Sequence, residues 1–457
     1  MPTRQIALFL TLCLGACADT GGTDPGAGRP GDDRARVAAA ADPSGAVELD
    51  GNLDGANYKI RVPAAWNRIL LVFAHGYRPR ALYPGETDDT HADAAYRGAE
   101  MEDYLLGQGY AVAGSSYKTN GWAVEDGIED SRALADLFDR QIGTPDRTLL
   151  WGFSLGSLVT LTSAERDDGR FDGFIAGCVV GAGTPRTFDR AIDFSLAYKV
   201  AFGWPASWGT PGDLGGHADF AHDMLPDLLV SLTGAKTDGQ TFGRLEFIRM
   251  VNHGPLNGFY IPVLRDNYIY STPSLVFDMF YSTEARAELE RRAGGPMEQN
   301  ANHHYDLTSA QRLYLRVLGV PVDDLLARMN AETIYHAAPG PRAFARKWTE
   351  LTGRARRPVL TLHNVDDGLT SADGESALAA TYAAAGTTDL LVQSYVTGAG
   401  HCNFTPEQVA AVVGGMLGWL DGGAKPDPDE LPESLGFVHG YQPAPWPQPG
   451  LPDDTAP

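Results

Sequence analysis

Along residues 46–185 the apolar positions change period repeatedly, and each change predicts an element. "AVELDGNL" and "NYKIRVP" alternate apolar and polar residues, the two-residue period of a half-buried hairpin. "RILLVFAHGY" is apolar almost without a break, which predicts a strand covered on both faces. "MEDYLLGQGY" then predicts a helix stopping at glycine, "AVAGSSY" a strand, and "EDGIEDSRALADLFDRQIG" an amphipathic helix. "RTLLWGF" predicts a strand, the residues from Leu155 a helix, and "FDGFIAGCVV" another strand. The same grammar resumes later with the strand "RPVLTLH", a helix around "GESALAATYAAAG", the strand "LLVQSYV" and a last helix, "TPEQVAAVVGGMLGWLDGG". This alternation predicts an α/β fold, a mostly parallel sheet with helices on both faces.

The interval 186–357 breaks the pattern. It holds helix-forming stretches ("TEARAELERRA", "SAQRLYLRVLG", "VDDLLARMN") and an aromatic run, "NGFYIPVLRDNYIYSTPSLVFDMFYS". A loop of that length and content is not expected, so it predicts a large, mainly helical cap inserted into a core made of 46–185 and 358–421. Residues 18–45 are rich in Gly, Ala, Asp and Pro and predict a flexible tether. Residues 422–457 predict an irregular, Pro-rich tail.

At the N-terminus, Arg4 precedes an apolar run from Ile6 to Ala16, too short to span a bilayer and placed as an export signal is. Its end, Leu14-Gly15-Ala16-Cys17, resembles the bacterial lipobox. That resemblance implies that residues 1–17 are a lipoprotein signal, that Cys17 carries the lipid, and that the mature protein is anchored to the bacterial cell envelope. The alternative is an ordinary secretory signal and a soluble periplasmic or secreted protein. A formal net charge of −22 over 457 residues argues against nucleic acid and against docking on an anionic membrane surface, so a membrane is met only through the anchor. Of four cysteines, Cys13 and Cys17 belong to the signal. Cys178 and Cys402 remain, either as a disulfide in an oxidising compartment or as two buried thiols.

Gly152-Phe153-Ser154-Leu155-Gly156 matches G-x-S-x-G between a predicted strand and a predicted helix. Such a turn projects the hydroxyl at a helix N-terminus, where backbone N–H groups are free. In this context the chain resembles the α/β-hydrolase family over 46–185 and 358–421. The resemblance implies that fold, with Ser154 as nucleophile and the order nucleophile, acid, histidine along the chain. His401, on the glycine-rich "VTGAGHCNFTPEQ", is then the expected base, while His439 falls in the tail. The acid follows "RPVLTLH": the family's spacing from the strand-end His363 selects Asp367, with Asp366 as the alternative. The oxyanion donors expected are the N–H groups of Leu155 and Tyr77, with Gly76 in Tyr77's place as the alternative. His75 is expected to support that loop.

Other pairs carry less chemistry. The adjacent histidines in "NHH" (302–304) diverge on any regular element, so no metal site is expected there. "VNHGPLNG" (251–258) reads as a turn, the Asp pairs at 88–89, 167–168 and 323–324 as solvated surface, and Ser115-Ser116 as residues near the site without the elbow context. The expectation is a serine hydrolase working without cofactor on a small-molecule or oligomeric ester. Two alternatives stand beside it, a secreted serine peptidase of prolyl type acting on peptides and a non-catalytic surface lipoprotein on the same scaffold.

Overall fold

The structure is a computed structural model and describes residues 40–41, 45–82, 85–166, 169–214, 219–234, 238–254, 272–301 and 303–446. The export signal with Cys17, most of the expected tether, Asp167–Asp168 and the first part of the aromatic run (257–271) lie outside the described residues.

One sheet contains β1 (Ala40–Ala41), β2 (Val47–Leu53), β3 (Ala56–Val62), β4 (Ile69–Ala74), β5 (Ala111–Ser115), β6 (Arg147–Phe153), β7 (Gly173–Gly177), β8 (Val359–Asp366) and β9 (Leu391–Ala399). Their order is β1-β2-β3-β5-β4-β6-β7-β8-β9. The pairs β1–β2, β2–β3 and β3–β5 are antiparallel, and every later pair is parallel. β1 departs from the tether expectation, since Ala40 and Ala41 pair with Glu48 and Val47.

Helices α1 (Ala99–Gly107), α2 (Val124–Gln141) and α3 (Leu155–Arg166) alternate with the early strands. Between β7 and β8 come α4 (Gly183–Phe202), α5 (Leu225–Gly234), α6 (Gly239–Val251), α7 (Thr272–Phe280), α8 (Arg286–Ala293), α9 (Ser309–Val317), α10 (Val322–Ala331) and α11 (Pro339–Thr349). α12 (Asp373–Ala385) and α13 (Pro406–Gly422) close the α/β core.

Periodicity decides which face each residue serves. β3 buries Ala56, Tyr58, Ile60 and Val62, every second residue. β4 is covered on both sides: Leu70, Val72 and Ala74 join one core with Leu134 and Phe138 of α2 and Leu158 of α3. Leu71 and Phe73 join the other, with Met101 and Leu105 of α1 and Val409, Val412, Val413 and Met416 of α13. α13 starts where its sequence says it should, with Thr405 and Gln408 forming a reciprocal capping box and Pro406 in the first turn.

The inserted helices share the first core through Phe194, Phe247, Met279 and Leu289. Arg342 of α11 grips Asp189 of α4 at 2.8 and 2.9 Å, both buried, and Glu288 of α8 accepts the Trp122 N–H at 2.9 Å. The C-terminal segment, irregular in backbone, is held to the sheet. Val438 N–H donates to Tyr395 and Gly436 accepts from Thr397, so the chain pairs along β9, burying Phe437, and Ser376 then holds Pro443 and Ala444. The strand order, with helices on both faces and a single residue turning β6 into α3, is the α/β-hydrolase fold.

Candidate active site

β6 ends at Phe153 and α3 begins at Leu155, so Ser154 alone makes the turn, at φ 58°. That is the left-handed region, unfavourable for a residue with a side chain. The turn closes only because strand and helix nearly touch. A Cβ on Gly152 would collide with the Gly156 carbonyl, and one on Gly156 with the carbonyl of Ala74. Gly156→Ala is therefore expected to cost about 1–3 kcal/mol of stability, seen as a lower Tm. Gly414→Ala, in α13 with nothing within 4 Å, is expected to leave Tm equal or higher. Equal melting of the two variants would count against the close approach.

Three distant loops meet at this turn. His401 Nε2 lies 2.8 Å from Ser154 Oγ, and its Nδ1 lies 2.9 Å from Asp367 Oδ2. His401 and Asp367 are buried, 4% and 1% exposed, so little water competes for these hydrogen bonds. The structure brings Asp367, not Asp366, to the imidazole. β8 carries an irregularity between Asn364 and Asp366, after which the chain leaves the ladder and swings the next carboxylate inward. Asp367 also accepts from the N–H groups of Leu369 and Thr370, at 2.9 and 3.0 Å, and from the Thr370 hydroxyl at 3.1 Å. Burial pushes its carboxyl up, but the attraction of His401, the His401 hydrogen bond, His363 and the Leu369 N–H outweigh that and hold it below its ordinary value. His363, fully buried within β8, accepts from Val179 N–H at 3.1 Å and meets the Thr370 carbonyl at 2.7 Å, which fixes the loop carrying Asp367.

Leu155 opens α3, so its N–H has no acceptor within the helix. No acceptor among the described residues takes the Tyr77 N–H, and Tyr77 and Leu155 line one cavity with Ser154. A Cβ on Gly76 would stand 3.5 Å from Ser154 Cβ, which puts that backbone beside the hydroxyl. His75 stacks on Tyr117 with ring centroids 3.8 Å apart, and its Nδ1 meets the Gly76 carbonyl at 2.7 Å. Burial first, and then the Arg78 charge, hold its imidazole far below the ordinary value, so His75 is a neutral prop for the turn. Ser115 accepts the Tyr117 N–H and Ser116 donates to the Tyr117 carbonyl. Both therefore shape this prop.

Cys178 and Cys402 are disulfide-bonded across 224 residues of sequence. The bond lies against the Ser154–His401 pair: Cys178 Sγ accepts the Ser154 N–H at 3.1 Å, and Cys402 Sγ sits 3.4 Å from His401 Nε2. The ligand atoms of Cys178, His401 and Cys402 fall within 4.8 Å of one another, but the sulfur–sulfur bond takes both thiolates out of metal chemistry. Reduction, or the double variant Cys178→Ser/Cys402→Ser, is expected to lower kcat by about 10²-fold through misplacement of His401. Tm should fall as well, since long-loop bonds are worth up to about 5 kcal/mol. Full activity in a sample whose two thiols are shown free by alkylation would overturn this role.

The remaining candidates lie elsewhere. His439, in the C-terminal segment, meets the Leu431 carbonyl at 2.7 Å, so its Nε2 is engaged there. His303 turns inward onto Asp193 at 2.8 Å while His304 is exposed. Asp323 pairs with Arg312 and Arg316 on the surface.

The cavity at Ser154 has a volume of about 120 Å³ and is walled by Trp122, Phe188, Phe194 and Tyr281. Arg190, Asp278 and Trp446 also face it, and no motif marks them.

No family model matches the chain. It is 26% identical over 427 residues to an o-phthalyl amidase of Xanthobacter agilis, covering 83% of this chain and 88% of the relative. Among solved structures it is similar to feruloyl esterase B from Aspergillus oryzae, with 15% identity and a TM-score of 0.39 over 84% of this chain and 81% of that one. It is also similar to Candida antarctica lipase A, with 12% identity and a TM-score of 0.38 over 84% and 78%. A carboxyl esterase from Bacillus coagulans gives 14% and 0.37 over 81% and 99%. Strand order and the Ser154 turn are what make this chain an α/β-hydrolase fold.

Proposed function

We propose that the protein is a serine hydrolase that cleaves an acyl bond through an acyl-enzyme, with a carboxylic ester as the first choice of substrate. The observation carrying this is the continuous chain Ser154 Oγ–His401–Asp367, at 2.8 and 2.9 Å, opening on an apolar cavity. His401 takes the serine proton as Oγ attacks the carbonyl. Asp367, ionised, holds the tautomer that leaves Nε2 free and stabilises the imidazolium. The N–H groups of Leu155 and Tyr77 receive the developing oxyanion. The proton then passes to the leaving group, and water, activated by the same imidazole, releases the acid.

Esters come first because alkoxide leaving groups depart more readily than amines, and the aromatic walls suit an apolar acyl group. Amide hydrolysis is the second reading, favoured by the amidase among the relatives. The test is labelling by a fluorophosphonate under native conditions, followed by p-nitrophenyl esters against acyl- and aminoacyl-p-nitroanilides. Faster ester turnover supports the first reading and faster anilide turnover the second. Absence of both labelling and turnover would leave a binding protein on a hydrolase scaffold.

A further inference from the structure

Cys178, His401 and Cys402 bring two sulfurs and one ring nitrogen within 4.8 Å of one another, from two distant segments of the chain. Oxidised, the sulfurs are spent on each other. Reduced, they become two soft ligands beside an imidazole, a donor set that suits Zn²⁺. The distances fit a tetrahedral ion. With bonds of about 2.3 Å to sulfur and about 2.0 Å to nitrogen, a sulfur and a nitrogen stand about 3.5 Å apart and two sulfurs about 3.8 Å. Cys402 Sγ and His401 Nε2 are already 3.4 Å apart. The sulfurs need only part from each other, on Cα atoms separated by 5.1 Å.

The contacts that orient the imidazole toward Ser154 also orient it toward a metal. Asp367, 2.9 Å from Nδ1, takes that N–H and leaves the lone pair on Nε2, the carboxylate–histidine arrangement that steadies zinc-ligating histidines. Cys178 Sγ lies 3.1 Å from the Ser154 nitrogen at the start of α3, so negative charge on that sulfur meets an N–H donor and the positive end of a helix. Both cysteine backbones have anchors besides the sulfur–sulfur bond. The Cys178 N–H donates to the Leu362 carbonyl at 2.9 Å, and the Cys402 carbonyl accepts the Phe404 N–H at 3.0 Å. After reduction the sulfurs therefore stay near enough for one ion to gather, although the placement within about 1 Å that proton transfer needs is lost. Ser154, which touches both ligand groups, lines the cavity, and that is the ion's way in.

We propose that reduction turns Cys178, Cys402 and His401 into a zinc site, and that the bound ion silences His401 as a base. A dithiol passes two electrons and two protons to the sulfur–sulfur bond and closes to its own disulfide, leaving two cysteine thiols. Zn²⁺ then displaces both thiol protons to solvent and takes the Nε2 lone pair that would have accepted the Ser154 proton. Three protein ligands leave the fourth place open. The binding stands on these ligands alone, and only the silencing rests on the hydrolase reading above.

The experiment compares the oxidised chain with the chain reduced by a trialkylphosphine, both thiols being confirmed by alkylation after unfolding. Zn²⁺ is expected to bind the reduced chain one to one with a Kd below about 1 µM at pH 7, releasing two protons, and the oxidised chain at least about 100-fold more weakly. Co²⁺ in its place should give the intense sulfur-to-metal absorption of a two-thiolate site. In the reduced state His401→Ala should weaken Zn²⁺ binding, and Asp367→Asn should weaken it by about 10–100-fold. Two thiols holding zinc without the imidazole would show neither loss. Ser154→Ala should bind as tightly as the wild type. Zn²⁺ should remove the residual fluorophosphonate labelling of the reduced wild type, and a chelator should restore it. Melting curves report the folding of each chain, and His401→Gln serves if the alanine variant does not melt cooperatively.

Equal zinc affinity of the oxidised and reduced chains, an affinity unchanged by loss of the imidazole, or a reduced chain that no longer melts cooperatively overturns the site. Binding as expected with labelling untouched overturns the silencing. If no form of the protein labels or turns over an ester, the hydrolase reading fails, and the site is judged by the zinc and cobalt titrations alone.

Discussion

Ser154→Ala is expected to lower kcat on any ester the protein hydrolyses by about 10⁶-fold and to abolish fluorophosphonate labelling while the fold persists. The size of the effect follows from the geometry. His401 and Asp367 are oriented toward one atom, Oγ at 2.8 Å, and without it the chain of proton transfers has no start. The oxyanion donors would remain, so a small residual rate over water is consistent with this account. Stability provides a companion measurement. At φ 58° alanine keeps the backbone strain that serine bears, whereas Ser154→Gly relieves it. The glycine variant should be more stable than the alanine variant by about 1 kcal/mol. Turnover within about tenfold of wild type in the alanine variant would place the chemistry on another residue.

Asp367→Asn is expected to lower kcat by about 10⁴-fold at neutral pH, and Asp366→Asn by no more than a few-fold. The amide would offer its own N–H to Nδ1 and favour the wrong tautomer, and at this burial solvent does little to make up the loss. Equal effects of the two substitutions would return the acid to the open choice the sequence left. Asp367 also links activity to stability. Its carboxyl is lower in the folded state than in the unfolded chain, so it stabilises the protein above the ordinary carboxylate range. That contribution disappears as pH falls through the lowered value. Asp367→Asn should therefore flatten the acid limb of a Tm-against-pH curve as it removes activity.

The core was legible because strands buried on both faces, such as Ile69–Ala74, are written as unbroken apolar runs, and the alternating Ala56–Val62 declares a one-sided strand. Ser154 was legible because only a glycine-flanked turn lets a strand and helix approach so closely. The choice between Asp366 and Asp367 was not, because it depends on an irregularity in β8 that hydrogen bonding across to β9 creates. The attachment of the segment after Gly422 to the sheet was not legible for a related reason. Its prolines mark irregular backbone correctly, yet Phe437 and the backbone at 436–438 find partners on β9 that no local pattern announces. Arg190, Asp278 and Trp446 meet from separate parts of the chain, and each is common as a lone residue in any helix or tail. Convergence of that kind leaves no trace in spacing.

Trp446 backs Arg190 from a segment that reaches the cavity only after Ser154, Asp367 and His401 have all been supplied by residue 402. The far wall of the cavity and the Ser154–His401–Asp367 chain thus sit on pieces of polypeptide that a protease could separate. A nick just after Tyr441 is expected to take Trp446 from the cavity wall and leave the Ser154–His401–Asp367 hydrogen bonds in place.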